Sequence, residues 1–314
     1  MKRKRVLITA VAVLLVAAIA CAFYLTRQEE SKGILFHVTG ERGSAYLLGS
    51  IHIGTSAMHP LGDVLQDAME ASDIFVFESD TASEASLARL AARQTLPDTA
   101  SLHDVLGAAL YSDVIAAYQA LNLSTASLGT KQPWAVINTL AVYSTAAEMG
   151  IRNIRKAISL GIEPAVQDYA DRHQKQYAYL ETVDEVADTM MSFSDALNRY
   201  LLQDEIDIVL GRTSPADMDT VAQWPVWWRD GNIEAFRNFY RQSFHSAEEP
   251  LYTEYHDKLI AQRNRLMADR LDALLQQGGN YFVTVGLLHL IPEEESMIAI
   301  LRDMGYAVEL VPQP

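Results

Sequence analysis

The chain has 314 residues, 49% hydrophobic and 21% charged, which is enough apolar length for one large domain or two closely packed lobes. Its net charge is −15, and with Lys2, Arg3, Lys4, Arg5 and Arg27 crowded at the start the remainder carries about −20, which argues against nucleic acid or anionic lipid as a partner. The single cysteine, Cys21, leaves everything after it without disulfides or thiolate chemistry.

The first element is a membrane segment. Met1 to Arg5 is a basic cap, and the uncharged run Val6 to Leu25 follows. At 1.5 Å per residue such a run crosses the roughly 30 Å hydrocarbon core. Basic residues stay in the cytoplasm, so the chain after Thr26 is expected on the extracytoplasmic, periplasmic side. The apolar run exceeds that of ordinary cleaved signal peptides, which predicts an uncleaved anchor over residues 1–27. Ala18-Ile19-Ala20-Cys21 is a poor lipoprotein box, because Leu or Val is usual at Ala18 and the apolar run continues past Cys21.

After a polar linker the pattern is α/β. Strands are predicted at Gly33–Val38, Ala45–Ser50 and Asp73–Glu78, with a helix through Leu61–Met69. From about 82 to 276 the apolar spacing is helical, forming a large helical middle region broken by one strand at Gln176–Glu181. A strand at Tyr281–Val285, a helix over Pro292–Leu301 opened by Glu293, Glu294 and Glu295, and a last strand at Tyr306–Val311 close the domain.

Two Gly-x-x-His tetrads frame this domain: Gly49-Ser50-Ile51-His52 and Gly286-Leu287-Leu288-His289. Each closes an apolar strand, which puts both imidazoles at the carboxyl edge where open α/β sheets build their sites. Glu78 ends the third strand in the same way. Two histidines and a glutamate are a common ligand set of hydrolytic divalent-metal sites. Arg263 lies four residues after Leu259 and three before Leu266, so it should face inward and needs a partner, such as Glu78, a substrate carboxylate or an oxyanion. Glu181 is a candidate supporting carboxylate, His59 reads as structural, and the Trp224 to Trp228 cluster reads as a packed corner. Ser50 lacks a nucleophile-elbow context.

Tyr46 to Gly54, Pro60-Leu61, Phe75 to Glu78, Leu180-Glu181-Thr182, Arg263-Asn264-Arg265 and Phe282 to Leu290 together resemble, in that order, the TraB/GumN family, which includes the Tiki proteins. The resemblance spans residues 33–312. It implies the erythromycin esterase/ChaN-like fold, a central mixed β-sheet wrapped by helices. It also implies a membrane-tethered metalloprotease, dependent on Mn2+ or Co2+ with Zn2+ as a further option, that acts on a peptide or protein substrate. Carried over residue by residue, the family's proposed site falls on His52, Glu78, His289 and Arg263. Gly161-Ile162-Glu163-Pro164 departs from the family pattern, where an aspartate is expected. Two other classes compete: a metal-independent esterase with a histidine base, and a non-enzymatic protein that binds a peptide pheromone or haem.

Overall fold

The structure, a computed structural model, describes residues 30–212, 220–243 and 249–312. Six strands form one sheet: β1 (Ile34–Thr39), β2 (Gly43–Ser50), β3 (Ile74–Ser79), β4 (Gln176–Glu181), β5 (Gly279–Gly286) and β6 (Ala307–Leu310), ordered β4-β3-β5-β2-β1-β6. The β2, β3, β4 and β5 strands are mutually parallel neighbours, and β1 runs antiparallel to β2 and β6. The sheet is therefore mixed and is wrapped by helices, as expected. Near-continuous apolar runs such as Ile74-Phe75-Val76-Phe77 belong to parallel strands covered on both faces, where alternation is not required.

The registers decide the main geometric question. β2 and β5 are adjacent, with Ser50 opposite Gly286, so the two Gly-x-x-His turns leave the sheet side by side. On the far side of β5, β3 pairs Phe77 with Thr284, which brings Glu78 to the same edge, and β4 follows with Glu181 opposite Ser79.

Helix α1 (Asp63–Glu70) follows β2, and α2 (Glu84–Arg93) follows β3. The middle region contributes α3 (Pro133–Glu148), α4 (Ile162–Arg172) and α5 (Asp195–Val209); α3 and α5 pack with the helix Ala108–Ala120 around a second apolar cluster that includes Val114, Leu140, Leu202 and Ile206. Near the end come α6 (Arg263–Gln277) and α7 (Met297–Asp303).

The turn after β2 is locked against the start of α4. Ile162 N–H donates to the Ile51 carbonyl at 3.1 Å and Gly54 N–H to the Ala157 carbonyl at 2.9 Å. A Cβ at Gly54 would overlap the Leu160 carbonyl, and one at Gly161 would overlap that of His52. His59 joins this clamp through Nε2, 3.0 Å from the Leu160 carbonyl, consistent with a structural role. Trp228 is fully buried and donates Nε1–H to the Gly49 carbonyl at 2.7 Å, so the tryptophan cluster is a packed corner.

Two expected elements differ. The helix expected over Tyr252–Leu275 is interrupted by a wider π turn at His256–Gln262, immediately before Arg263. The acidic triplet Glu293–Glu295 precedes α7 rather than opening it: Ser296 caps the helix by accepting from Ala299 N–H, and Glu295 has φ +58°. Among the described residues no helix is long and apolar enough to cross a membrane, and the expected anchor at residues 6–25 lies outside them.

Candidate functional site

Glu78 is the centre of the site. Its Oε1 accepts from Arg263 Nη2, and its Oε2 accepts from Gly286 N–H at 3.0 Å. That backbone contact exists because β5 ends beside β3, and a Cβ on Gly286 would lie 3.4 Å from Glu78 Oε2 and 3.5 Å from His289 Cδ2. The glycine of the second tetrad thus keeps this corner open for two functional side chains.

Arg263 faces inward, with 7% of its side chain exposed, and it has two carboxylate partners instead of one. Besides Glu78 it binds Glu181, with Nη2 2.5 Å from Oε2 and Nε 3.1 Å from each oxygen. A buried guanidinium spanning two glutamates satisfies the fork geometry of arginine. Burial pushes Glu78 upward, but Arg263, the two histidines and the Gly286 N–H outweigh it and hold the carboxyl well below the usual range. Glu181 moves the other way, raised by burial despite Arg263.

His289 is buried and its Nδ1 lies 2.6 Å from Asn264 Oδ1. The Asn264 amide is oriented by a second bond, Nδ2–H to the Glu295 carbonyl at 2.7 Å, so its oxygen must face the ring. His289 is therefore the donor at Nδ1, and its lone pair is at Nε2, 3.8 Å from Glu78 Oε2. Burial lowers its pKa to about 4, which keeps the ring neutral.

His52 has a different environment. Its side chain is 73% exposed and faces a cavity, and Nδ1 donates to Glu163 Oε1 at 2.7 Å. Glu163 stands in the first turn of α4, and its Oε1 also accepts from the Ser50 hydroxyl at 2.5 Å. Ser50 is thereby tied to a carboxylate, in line with its lack of nucleophile context. The Glu163 carboxylate pushes His52 up to about 9 through its charge and its hydrogen bond, with Glu78 adding to the rise.

The structure brings His52, Glu78 and His289 to one sheet edge and joins Arg263 to Glu78. Among the described residues, no three histidine, cysteine, aspartate or glutamate side chains stand close enough together to enclose a metal ion as they are. Sequence reasoning gave no role to Glu163 or Asn264, the two side chains that set the histidine orientations. The signal for Asn264 was its place beside Arg263 on the buried stripe of α6; for Glu163 it was an acid in a helix's first turn, which is commonplace.

In metal-free protein, Glu163→Gln should bring His52 down from about 9 towards 6.5, read by NMR titration of the ring. A raised histidine pKa stabilises the fold fully below 6.5, and that contribution disappears as pH rises through about 9. The wild-type advantage over the variant should follow the same course. An unshifted His52 titration would remove Glu163 as the cause.

The family described as TraB/PrgY/gumN matches residues 34–310. Among curated proteins, the uncharacterized protein YbaP of Shigella flexneri is 25% identical over 259 residues, covering 81% of this chain and 86% of the relative. The uncharacterized protein YbaP of Escherichia coli (strain K12) is 24% identical over 253 residues, covering 79% and 84%. No solved structure matches the chain.

Proposed function

Since the chain belongs to the TraB/PrgY/gumN family, we propose that it is a divalent-metal-dependent hydrolase acting on peptide bonds. One observation carries this reading: at one strand edge, two imidazoles each donate Nδ1–H to a fixed acceptor, Glu163 or Asn264, and His289 holds an unshared Nε2 3.8 Å from Glu78 Oε2. Metal-ligating histidines are oriented in this way by outer-shell acceptors. His52, Glu78 and His289 would hold the ion, His52 after losing the proton that Glu163 favours, and a set of imidazoles plus one carboxylate suits Mn2+, Co2+ or Zn2+. When bound, the ion would polarise a carbonyl and acidify water.

The remaining roles belong to the chain. Glu78, held far below the usual carboxylate range, is a weak base and serves better as a ligand and source of fixed charge. Arg263, saturated by two glutamates, positions Glu78 rather than touching substrate. The His52 loop is backed by the start of α4, backbone against backbone, which preserves the orientation of its ring. The membrane-anchored, extracytoplasmic placement rests on residues 6–25 and the basic cap alone.

The full chain, purified in detergent, should carry or take up Mn2+, Co2+ or Zn2+ by elemental analysis and cut members of a peptide library. His52→Ala and His289→Ala should each abolish both properties while the circular dichroism spectrum stays unchanged. Metal retained by the double variant would defeat the assignment. Hydrolysis surviving strong chelators would favour the second reading, metal-free hydrolysis with the unpaired His289 Nε2 as base on water.

A further inference from the structure

A cavity of about 240 Å3 opens beside His52 and Glu78, between the sheet and α4. Whole small-molecule sites run to roughly 300–1,000 Å3, so this volume suits one side chain of a larger ligand. Phe77 and Tyr177 give it aromatic faces, their rings stacked with centroids 5.7 Å apart, and the half-exposed Tyr179 stands at its lip. Three carboxylates, Glu78, Asp80 and Glu163, border it, and His52 is its one basic lining residue.

Two buried polar atoms of lining residues lack a protein partner. One is Glu163 Oε2, and the other is the hydroxyl of Thr284, a residue only 1% exposed. A carboxylate oxygen can only accept, so the ligand atom that completes it must carry a proton. Asp80 cannot swing its charge away, because its oxygens accept from Ala82 N–H, Ser83 N–H and the Ser83 and Ser86 hydroxyls.

We propose that this cavity is the subsite for a basic side chain, lysine or arginine, of a peptide substrate. The apolar stem lies along Phe77, Tyr177 and Tyr179, and the N–H donors of the head reach Glu163 Oε2 and the Thr284 hydroxyl. Basic side chains commonly bury their stems and pair their heads with aromatic faces and carboxylates. An aromatic or aliphatic side chain would leave both polar atoms unsatisfied, and an acidic one would bring a second acceptor to Glu163 Oε2 and a like charge to Asp80, which has no cationic partner among the described residues. The inference rests on the peptide-hydrolase reading for the nature of the ligand, but not on turnover.

The test uses the full chain carrying His289→Ala, a residue outside the cavity lining, and fluorescent pentapeptides that differ only in a central Lys, Arg, Leu, Phe or Glu. By fluorescence anisotropy the Lys and Arg peptides should bind at least about tenfold more tightly than the Leu and Glu peptides. Asp80→Asn and Thr284→Val should each erode that preference several-fold and leave binding of the Leu peptide unchanged. Equal binding across the series, or no binding by any peptide, overturns the subsite. Cleavage by wild type without a basic preference overturns the subsite and leaves the hydrolase reading standing. Basic preference in binding with no cleavage under Mn2+, Co2+ or Zn2+ keeps the subsite and removes the hydrolase reading.

Discussion

Replacing Arg263 with methionine should destabilise the protein by about 3–5 kcal/mol at pH 7, the usual cost of removing one partner from a buried ionic cluster. The guanidinium is the shared cation of Glu78 and Glu181, and without it two carboxylates face each other in a poorly solvated corner. The pH dependence has a definite sign. In wild type, Glu78 is held below its ordinary value of 4.5, so its contribution is present above 4.5 and is lost as pH falls through the depressed value. In the variant both glutamates should titrate above the unfolded value, so the folded state binds the extra protons and stability declines as pH rises. Urea denaturation should therefore show a larger deficit at pH 8 than at pH 5. A deficit under about 1 kcal/mol at pH 7 would mean that the cluster is relieved by solvent.

If the site takes the proposed ion, Asn264→Leu should weaken its binding by about 10- to 100-fold, the range found when an outer-shell partner of a metal-binding histidine is removed. Leucine preserves most of the volume but leaves the His289 Nδ1–H and the Glu295 carbonyl without their shared partner. The cost in stability should be about 1–3 kcal/mol for the orphaned groups. Ring 15N shifts separate orientation from simple loosening: wild type should show His289 protonated at Nδ1, and the leucine variant a mixture of tautomers. Asn264→Asp, whose carboxylate can still accept from Nδ1, should restore the wild-type tautomer. Unchanged ring shifts and metal affinity in Asn264→Leu would show that His289 is oriented by packing alone.

Much of the sheet was legible because parallel strands buried on both faces appear as short unbroken apolar runs. Gln176–Glu181 was placed at its observed bounds, and Gly-x-x-His marked where β2 and β5 end. Their adjacency was not written in either run; it follows from long-range pairing that puts Ser50 beside Gly286. The inward direction of Arg263 was legible from helical spacing. Asn264 was not singled out, because the buried face of this helix is two residues wide, with Ile260–Ala261, Arg263–Asn264 and Met267–Ala268 all buried, and only Arg263 falls on the Leu259–Leu266 spacing. Glu163 was hidden for another reason. An acid in a helix's first turn normally needs no explanation beyond the helix dipole, and only the tertiary contact with His52 reveals its use. The acidic triplet misled in a similar way: the helix starts after it, behind the Ser296 cap, and the Glu295 carbonyl accepts from Asn264 instead.

The interlocked glycines at Gly54 and Gly161 have a mechanical consequence. With backbone pressed against backbone, the loop bearing His52 and the helix bearing Glu163 form a single rigid lever. Any rocking of α4 against the sheet must carry the imidazole and its carboxylate together, preserving their mutual alignment while changing their approach to Glu78. The opposite rim has no such weld. Helix α2, which continues from the Ser79–Ala82 lip, has no fully buried residue and is held to its neighbours by partly buried Leu90 against Trp134, Ala135 and Ala187 and by the ion pairs Arg89–Asp184 and Arg93–Asp188. The two rims of the opening are thus built differently: the histidine wall is closed backbone to backbone, and the α2 rim is held by side chains.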